Sequence, residues 1–448
     1  MPRTYHITTF GCQMNKLDSE LIEGALRRHG YEPADEPDRA NVVLYNTCSV
    51  RDQAENRVFS HLGTFRERAN DDPDFILGVV GCMAQRLGEE LREKFPYIRL
   101  VCGTRNFTRI PDYLEHLRAT EDCIVAIDGD DVDIRRDPEL RNAGPHGYVS
   151  IMRGCDNYCA YCVVPHLRGR ETSRPPQQVL EEVRRLVDSG IREVTLLGQN
   201  VNSYGKGLEE GANLPALLRQ LNDVDGLRRI RFITSHPKDM NEQIFRAVSG
   251  LDAVCEHVHM PAQSGSDSVL ERMNRGYDSG RYYELIEKGR EICPDLAFAS
   301  DFIVGFPGET EEDFERTVEL VRTVEFQQSY IFRYSPRPGT RAAEMNDDVP
   351  DGEKRRRQQV LLEAQKEVDG QRRAALRGQV LPVLCTEKNA SHPEEGKWRG
   401  RTRQNDIAVF SAPACGIGDI RPVRIQKATE LTLFGEAVRR EKAQKVEV

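Results

Sequence analysis

The sequence predicts an α/β protein of three units: an N-terminal open parallel α/β sheet, a central partial (β/α) barrel of about six units, and a small C-terminal β-barrel. Three observations lead there. Short apolar runs alternate with amphipathic stretches over residues 1–120, a second such series starts at Tyr148, and after Gly378 the texture changes to short β-branched segments broken by Gly and Pro. Strand followed by helix, repeated, builds a parallel sheet, because each helical crossover returns the chain to run in the same direction. A chain of 448 residues also exceeds what one ordinary hydrophobic core organises.

In the first unit, residues 1–120, the expected strand and helix pairs are 6–10 with 19–28, 42–45 with 54–65, and 75–80 with 87–95. Each strand runs at once into a cysteine: Cys12, Cys48 and Cys82. Ligands in open α/β sheets gather beyond the carboxyl ends of the strands, so three cysteines far apart in sequence are brought together there. Cys102 follows an expected fourth strand and reads as a packed thiol. Residues 121–147 hold an acidic run at 128–133 followed by Pro138, Gly144, Pro145 and Gly147, the composition of a linker.

The second unit, residues 148–377, has expected strands at 148–152, 193–197, 230–234, 257–260, 297–304 and 329–334, too few for a closed eight-stranded barrel. Residues 353–377, rich in charge, read as one long exposed helix. The third unit, residues 378–440, has β-branched segments at 380–384, 407–410 and 423–425, and the tail from Arg439 reads as frayed.

The net charge of -9 argues against a protein coated in nucleic acid, although residues 378–440 carry 10 Lys and Arg against 7 Asp and Glu, a balance of +3. No apolar stretch approaches 18 residues, and a soluble, cytoplasmic protein is expected. In that reducing compartment the 12 cysteines read as candidate metal or redox ligands rather than disulfides.

The densest signal is Gly154-Cys155-Asp156-Asn157-Tyr158-Cys159-Ala160-Tyr161-Cys162, three thiols in eight positions just past a strand. A loop with this spacing can wrap a cubane cluster and leave one iron without a protein ligand. The alternative is a zinc knuckle, which needs a fourth ligand to close its tetrahedron, with His166 the nearest candidate. Pro307-Gly308-Glu309-Thr310 reads as a turn and helix start, capped by Thr310 with Asp313 three positions on.

The Cys-x-x-x-Cys-x-x-Cys pattern on a partial barrel resembles the radical S-adenosylmethionine superfamily. That resemblance implies a 4Fe-4S cluster on Cys155, Cys159 and Cys162, whose open iron chelates S-adenosylmethionine for reductive cleavage to a 5′-deoxyadenosyl radical. Tyr161, with Gln199, Asn200, Ser235 and Gln263 at the strand ends, becomes a candidate contact for this cosubstrate, although turn and cap roles suit the same residue types. The segments 9–15, 46–51 and 81–85, with 234–237, 261–266, 301–310 and 334–340, resemble the methylthiotransferase subfamily, and within it the MiaB type, the tRNA-2-methylthio-isopentenyladenosine synthases.

That closer resemblance spans nearly the whole chain. It implies an auxiliary 4Fe-4S cluster on Cys12, Cys48 and Cys82, two S-adenosylmethionine molecules per turnover, and a C-terminal TRAM domain, an OB-like RNA-binding barrel. One cosubstrate methylates a sulfur of the auxiliary cluster; the second yields the radical that abstracts hydrogen from carbon 2 of adenine. The implied partners are the tRNA anticodon stem-loop, a reduced electron donor such as flavodoxin or ferredoxin and a sulfur or cluster donor, with the enzyme a monomer. Arg399, Arg401 and Arg403, alternating along a strand, are the candidate phosphate contacts, with Trp398 pointing the other way. Two related substrates, threonylcarbamoyladenosine in tRNA and an aspartate of a ribosomal protein, share the cluster motifs, and a non-catalytic metal-binding RNA adaptor is the alternative of another class.

Overall fold

The computed structural model describes residues 3–49, 52–129, 144–389 and 396–438. Most of the expected linker, Arg51 and the tail from Arg439 lie outside the described residues. The N-terminal unit is a six-stranded parallel sheet: β1 (Arg3–Phe10), β2 (Tyr31–Pro33), β3 (Val42–Thr47), β4 (Ile76–Gly81), β5 (Leu100–Cys102) and β6 (Ile124–Ala126), in the order β2-β1-β3-β4-β5-β6. One face packs on the helices Gln13–Arg28 and Ile110–Ala119 through Ile22, Leu26, Leu114 and Leu117; Val58, Leu62, Met83 and Leu91 cover the other. The chain leaves β1 to one side for β2 and returns to the other for β3, so β1 and β3 flank the point where strand order reverses. A crevice opens at such a point, and Cys12 and Cys48 lie just beyond the ends of these two strands.

Two details differ from the sequence reading. Residues 124–126, inside the expected linker, form the sixth strand; three residues are too short to show alternation against the neighbouring turn residues. The helix expected at 87–95 is two short ones, Cys82–Leu87 and Glu89–Lys94, broken at Gly88, where φ is +50°. Cys82 is therefore the first residue of a helix.

The central unit contains β7 (His146–Ser150), β8 (Met152–Arg153), β9 (Thr172–Ser173), β10 (Glu193–Leu197), β11 (Arg229–Phe232), β12 (His257–His259), β13 (Ala297–Val304) and β14 (Gln328–Arg333). Six of these form two parallel sheets, β7-β10-β11 and β12-β13-β14. The Ser235 N–H donates to the His259 carbonyl at 2.9 Å, just past the adjoining edges β11 and β12. The result is an open arc of six strands, with one core running from Val149 to Ala364. β8 and β9 form a separate antiparallel ribbon at the two ends of the cysteine loop.

The helix Asp351–Ala374 is only partly the exposed element expected, because Leu361, Ala364 and Val368 are buried and Arg357 donates to Glu309 Oε2 at 2.8 Å. The C-terminal unit is a closed barrel of β15 (Val380–Lys388), β16 (Lys397–Arg401), β17 (Ile407–Ser411), β18 (Ile420–Ala428) and β19 (Thr432–Ala437), in the order β15-β16-β17-β19-β18. Trp398 belongs to its core and donates from Nε1 to the Ala412 carbonyl at 3.2 Å.

This small barrel docks at the amino ends of β10 and β11. Arg229 donates to the carbonyls of Arg401 (2.7 Å) and Pro382 (2.8 Å), and Arg231 to those of Thr402 (2.7 Å) and Arg403 (2.8 Å). Glu193 lies between the two guanidinium groups, 3.2 Å from Arg231 Nε. Among the described residues no helix is long and apolar enough to cross a membrane.

Candidate active site

The first thiol set is held by a buried polar network. Asn46 in β3 donates from Nδ2 to the Asn15 carbonyl and to Ser19 Oγ, both at 2.9 Å, and its Oδ1 accepts from Asn15 Nδ2 at 3.1 Å. Asn15 Oδ1 in turn accepts from the backbone N–H of Cys12 at 3.2 Å and lies 3.3 Å from its Sγ. Asn15 and Asn46 are fully buried, and such groups fix a conformation when all partners are met. A hydrogen bond with Cys48, aided by Arg168 against the effect of burial, pulls the Cys12 thiol down to about 6, whereas burial pushes Cys82 up.

Gly81 delivers Cys82 to this set. Its φ of +94° and ψ of -155° are open to glycine alone, and a Cβ there would stand 2.4 Å from Asn46 Oδ1.

The second thiol set lies on the loop between β8 and the helix Val164–Arg168. Gly154 (φ +73°) enters it, where a Cβ would stand 2.1 Å from the Arg170 carbonyl oxygen, and Tyr158 (φ +46°) turns it. The loop is clamped by Ala160, whose N–H donates to the Met273 carbonyl at 2.9 Å and whose carbonyl accepts from the Ala342 N–H at 2.8 Å. Burial, then the neighbouring Cys159, pushes Cys162 up to about 12, and burial also raises Cys155.

Cys159 receives two outside groups. Arg275 Nη1 donates to its sulfur at 3.3 Å, and His236 Nε2 faces it at 3.9 Å. His236 Nδ1 accepts from the Lys238 N–H at 3.2 Å, which leaves the proton on Nε2, and burial with Arg275 and Lys238 close by holds the ring neutral.

The two sets meet. Cys82 packs on Val163, the residue after Cys162, and on Leu167; Cys12 borders a small cluster with Met14, Leu17 and Leu197, the last residue of β10. All six cysteines are free thiols. Among the described residues no three of His, Cys, Asp or Glu surround a single metal ion, and His166, the candidate for zinc's fourth ligand, is exposed. Three thiols on one short loop suit a cluster, where each thiolate takes a different iron.

The cosubstrate candidates separate into two groups. Gln199 Oε1, Ser235 Oγ and Gln263 Oε1 are buried with no hydrogen-bond partner, so they retain acceptors or donors for a ligand. Asn157 Nδ2, inside the cysteine loop, is in the same state. By contrast both ends of the Asn200 amide are partnered: its Nδ2 donates to Asp239 Oδ2 at 2.7 Å and its Oδ1 accepts from the His236 N–H at 3.1 Å, so it shapes the loop that carries Ser235 and His236. Tyr161 accepts from Arg275 Nη1 at 3.4 Å.

The three arginines named from alternation part company. Arg399 is exposed and pairs with Glu387 at 3.1 Å; Arg401 is partly covered and donates to Asn405 Oδ1 at 3.0 Å. Arg403 lies beyond the end of β16 and donates to Glu256 at 2.6 Å and to the Asp252 carbonyl, so it anchors the small barrel instead of presenting a phosphate contact. Arg168 and Arg275 escaped sequence reasoning, because neither stands at a spacing that marks it as a partner of a thiol.

Comparison with known proteins follows the same division of the chain. Residues 4–103 match a family described as uncharacterized protein family UPF0004, residues 149–321 the Radical SAM superfamily and residues 374–438 the TRAM domain. The central match and the relatives named below make the chain a radical S-adenosylmethionine enzyme, of a superfamily whose chemistry uses S-adenosylmethionine and a 4Fe-4S cluster. The TsrM methyltransferase of Kitasatospora setae, a radical S-adenosylmethionine enzyme solved with cobalamin and a [4Fe-4S] cluster, shares the fold: TM-score 0.57, 17% identity, 77% of each chain covered.

The chain belongs to the tRNA-2-methylthio-N(6)-dimethylallyladenosine synthases. It is 44% identical to the synthase of Syntrophotalea carbinolica over 97% of this chain and 100% of that relative. It is 43% identical to that of Thermoanaerobacter pseudethanolicus over 97% and 92%.

Proposed function

We propose that this chain places a methylthio group on carbon 2 of adenosine at position 37 of tRNA, next to the anticodon, where the base already carries an isopentenyl (dimethylallyl) group. One observation carries this conclusion: Cys82 packs against Val163, the residue after Cys162, which brings the first thiol set up to the loop that carries the second. Cys12, Cys48 and Cys82 would hold one 4Fe-4S cluster and Cys155, Cys159 and Cys162 the other. Bound there, the clusters and S-adenosylmethionine supply a carbon radical able to remove the unactivated hydrogen of carbon 2, and a methylthio group to replace it.

The protein's part is placement. Gln199, Ser235 and Gln263 offer unpartnered polar atoms to the cosubstrate, and Asn200 and Tyr161 steady the surroundings. A short-lived radical makes proximity decisive, since a free sulfur donor would neither be retained nor oriented. Arg399 and Arg401 suit RNA phosphates. The enzyme acts as a cytoplasmic monomer that takes electrons from a reduced protein such as flavodoxin or ferredoxin and draws sulfur or a cluster from a donor.

Nucleoside mass spectrometry of tRNA from cells lacking this protein tests the substrate. Methylthio-isopentenyladenosine is expected to vanish; its persistence with loss of the threonylcarbamoyl counterpart refutes the assignment. Anaerobic reconstitution is expected to load about two clusters of the cubane type, and C155A/C159A/C162A to lose one of them with all cleavage of S-adenosylmethionine. Full iron retention in that variant refutes the site assignment.

A further inference from the structure

One side chain reaches from the helix after the second thiol set to the first. Arg168 ends the helix Val164–Arg168, six residues after Cys162, and its guanidinium crosses from the barrel into the N-terminal unit. Nη2 lies 2.6 Å from Asp18 Oδ2 and 3.4 Å from Cys82 Sγ. Arg168 is 7% exposed and Asp18 5%. The helix end is pinned beside them: Thr104 Oγ1 donates to the Leu167 carbonyl at 2.8 Å, and Arg153 Nη2 donates to the Thr104 carbonyl at 2.6 Å. The guanidinium is thus a fixed cation whose Nη2 donates to a carboxylate on the N-terminal unit and also faces a sulfur there.

We propose that Arg168 is a positioning residue for the auxiliary site: its N–H donates to the Cys82 sulfur, and its charge, braced by Asp18, sets the reduction potential of the cluster held by Cys12, Cys48 and Cys82. This rests on the two-cluster assignment above. Reduction adds negative charge to a cluster, and hydrogen bonds to its sulfurs and nearby cations favour the reduced state. Burial strengthens both effects, and arginine keeps its proton at any working pH. Asp18 acts in the opposite sense, since its carboxylate offsets part of the guanidinium charge.

Substitutions at the two partners therefore shift the potential in opposite directions. R168M removes the donor and the cation and makes the cluster harder to reduce; D18N leaves the cation less compensated and makes it easier to reduce. A pair that only held the interface together would move both variants alike, or neither.

The experiment uses the full chain carrying C155A/C159A/C162A, so that only the auxiliary cluster contributes, and follows its electron paramagnetic resonance signal through an anaerobic redox titration. The expected result is a midpoint more negative in R168M and more positive in D18N, with an altered signal in both, iron per chain equal to the parent's, and R168K between R168M and the parent. Equal midpoints in iron-loaded R168M and parent, or shifts of the same sign in R168M and D18N, overturn the proposal. If R168M takes up no iron, R168K and D18N give the same reading, and an R168K or D18N midpoint equal to the parent's overturns it. Failure of the two-cluster assignment itself looks different: the triple-alanine parent then binds no iron.

Discussion

Replacing Gly81 by alanine tests whether the Asn15–Asn46 network is what assembles the first thiol set. Gly81 has φ +94° and ψ -155°, and the new Cβ would lie 2.4 Å from Asn46 Oδ1 and 3.1 Å from the Thr47 carbonyl oxygen. A non-glycine residue in this backbone region costs about 1–3 kcal/mol. Displacing Asn46 leaves the buried Asn15 Nδ2 without its partner, for another 1–3 kcal/mol or so. The sum, on the order of 4 kcal/mol, falls on the end of β4 and on Cys82. G81A is therefore expected to show faster amide hydrogen exchange in β3 and β4 and, after anaerobic reconstitution, about half the parent's iron. Cleavage of S-adenosylmethionine without tRNA, which depends on the second thiol set, is expected to persist. Parental iron content with parental exchange would refute the reasoning.

G154A is the mirror experiment: its Cβ meets the Arg170 carbonyl oxygen at 2.1 Å, and loss of S-adenosylmethionine cleavage with iron retained at the first set is expected, as read by product chromatography and iron assay. R231M takes from Glu193 the nearer of its two cations, with Arg229 remaining, and leaves the carbonyls of Thr402 and Arg403 without this donor, a loss of about 1–3 kcal/mol for each buried group left unsatisfied; limited proteolysis should release the C-terminal barrel faster, and an unchanged rate would count against this docking. Burial opposes the charge of Asp313, but hydrogen bonds from Ser266, Thr310 and Ser268 outweigh it and pull the carboxyl down to about 2 from 3.8. Its stabilisation is complete above about pH 4 and lost as pH falls through about 2, so melting temperatures measured from pH 5 to 2 should fall more steeply in the parent than in D313N. R399A is expected to weaken tRNA binding and reduce the slope of log affinity against log salt by about 1, whereas R403A is expected to lower the melting temperature of the C-terminal barrel.

What the sequence revealed depended on how far apart the cooperating residues lie. The strand-then-cysteine pattern singled out Cys12, Cys48 and Cys82 as candidates because each is adjacent to the element that positions it, and Cys155, Cys159 and Cys162 stood out because one loop carries all three. The cap at Thr310 was legible for the same reason, and its hydroxyl indeed accepts from the Asp313 N–H at 3.2 Å. The contacts that join these pieces are not local. Arg168 meets Asp18 from 150 positions away, Arg275 meets Cys159 from 116 and Arg403 meets Glu256 from 147, and no spacing rule reaches that far. Asn46 illustrates a subtler miss: the residue itself stands in a segment quoted for its family likeness, but only its burial beside Asn15 explains why an amide is needed there.

The long arginines also bear on how a substrate is accommodated. Arg229 and Arg231 lie in β11 and tie the small barrel to the amino ends of β10 and β11, whereas the six cysteines follow the carboxyl ends of their strands. The strands between are four residues long in β11 and five in β10, which at about 3.3 Å per residue separates the two ends by roughly 13–17 Å. A ligand that reaches Arg399 on the small barrel and also offers an atom to the thiol sets must span that distance. A free nucleoside is too short, and a folded stem-loop, with phosphates along its length and unstacked bases at its tip, has the required reach and the required chemistry at each end. On the proposed function, substrate selection would divide in two: phosphate contacts at the small barrel would govern affinity, and the space around Gln199, Ser235 and Gln263 would govern which base reacts. R399A should therefore weaken binding of modified and unmodified stem-loops alike, while changes at the strand ends should alter turnover of one base over another.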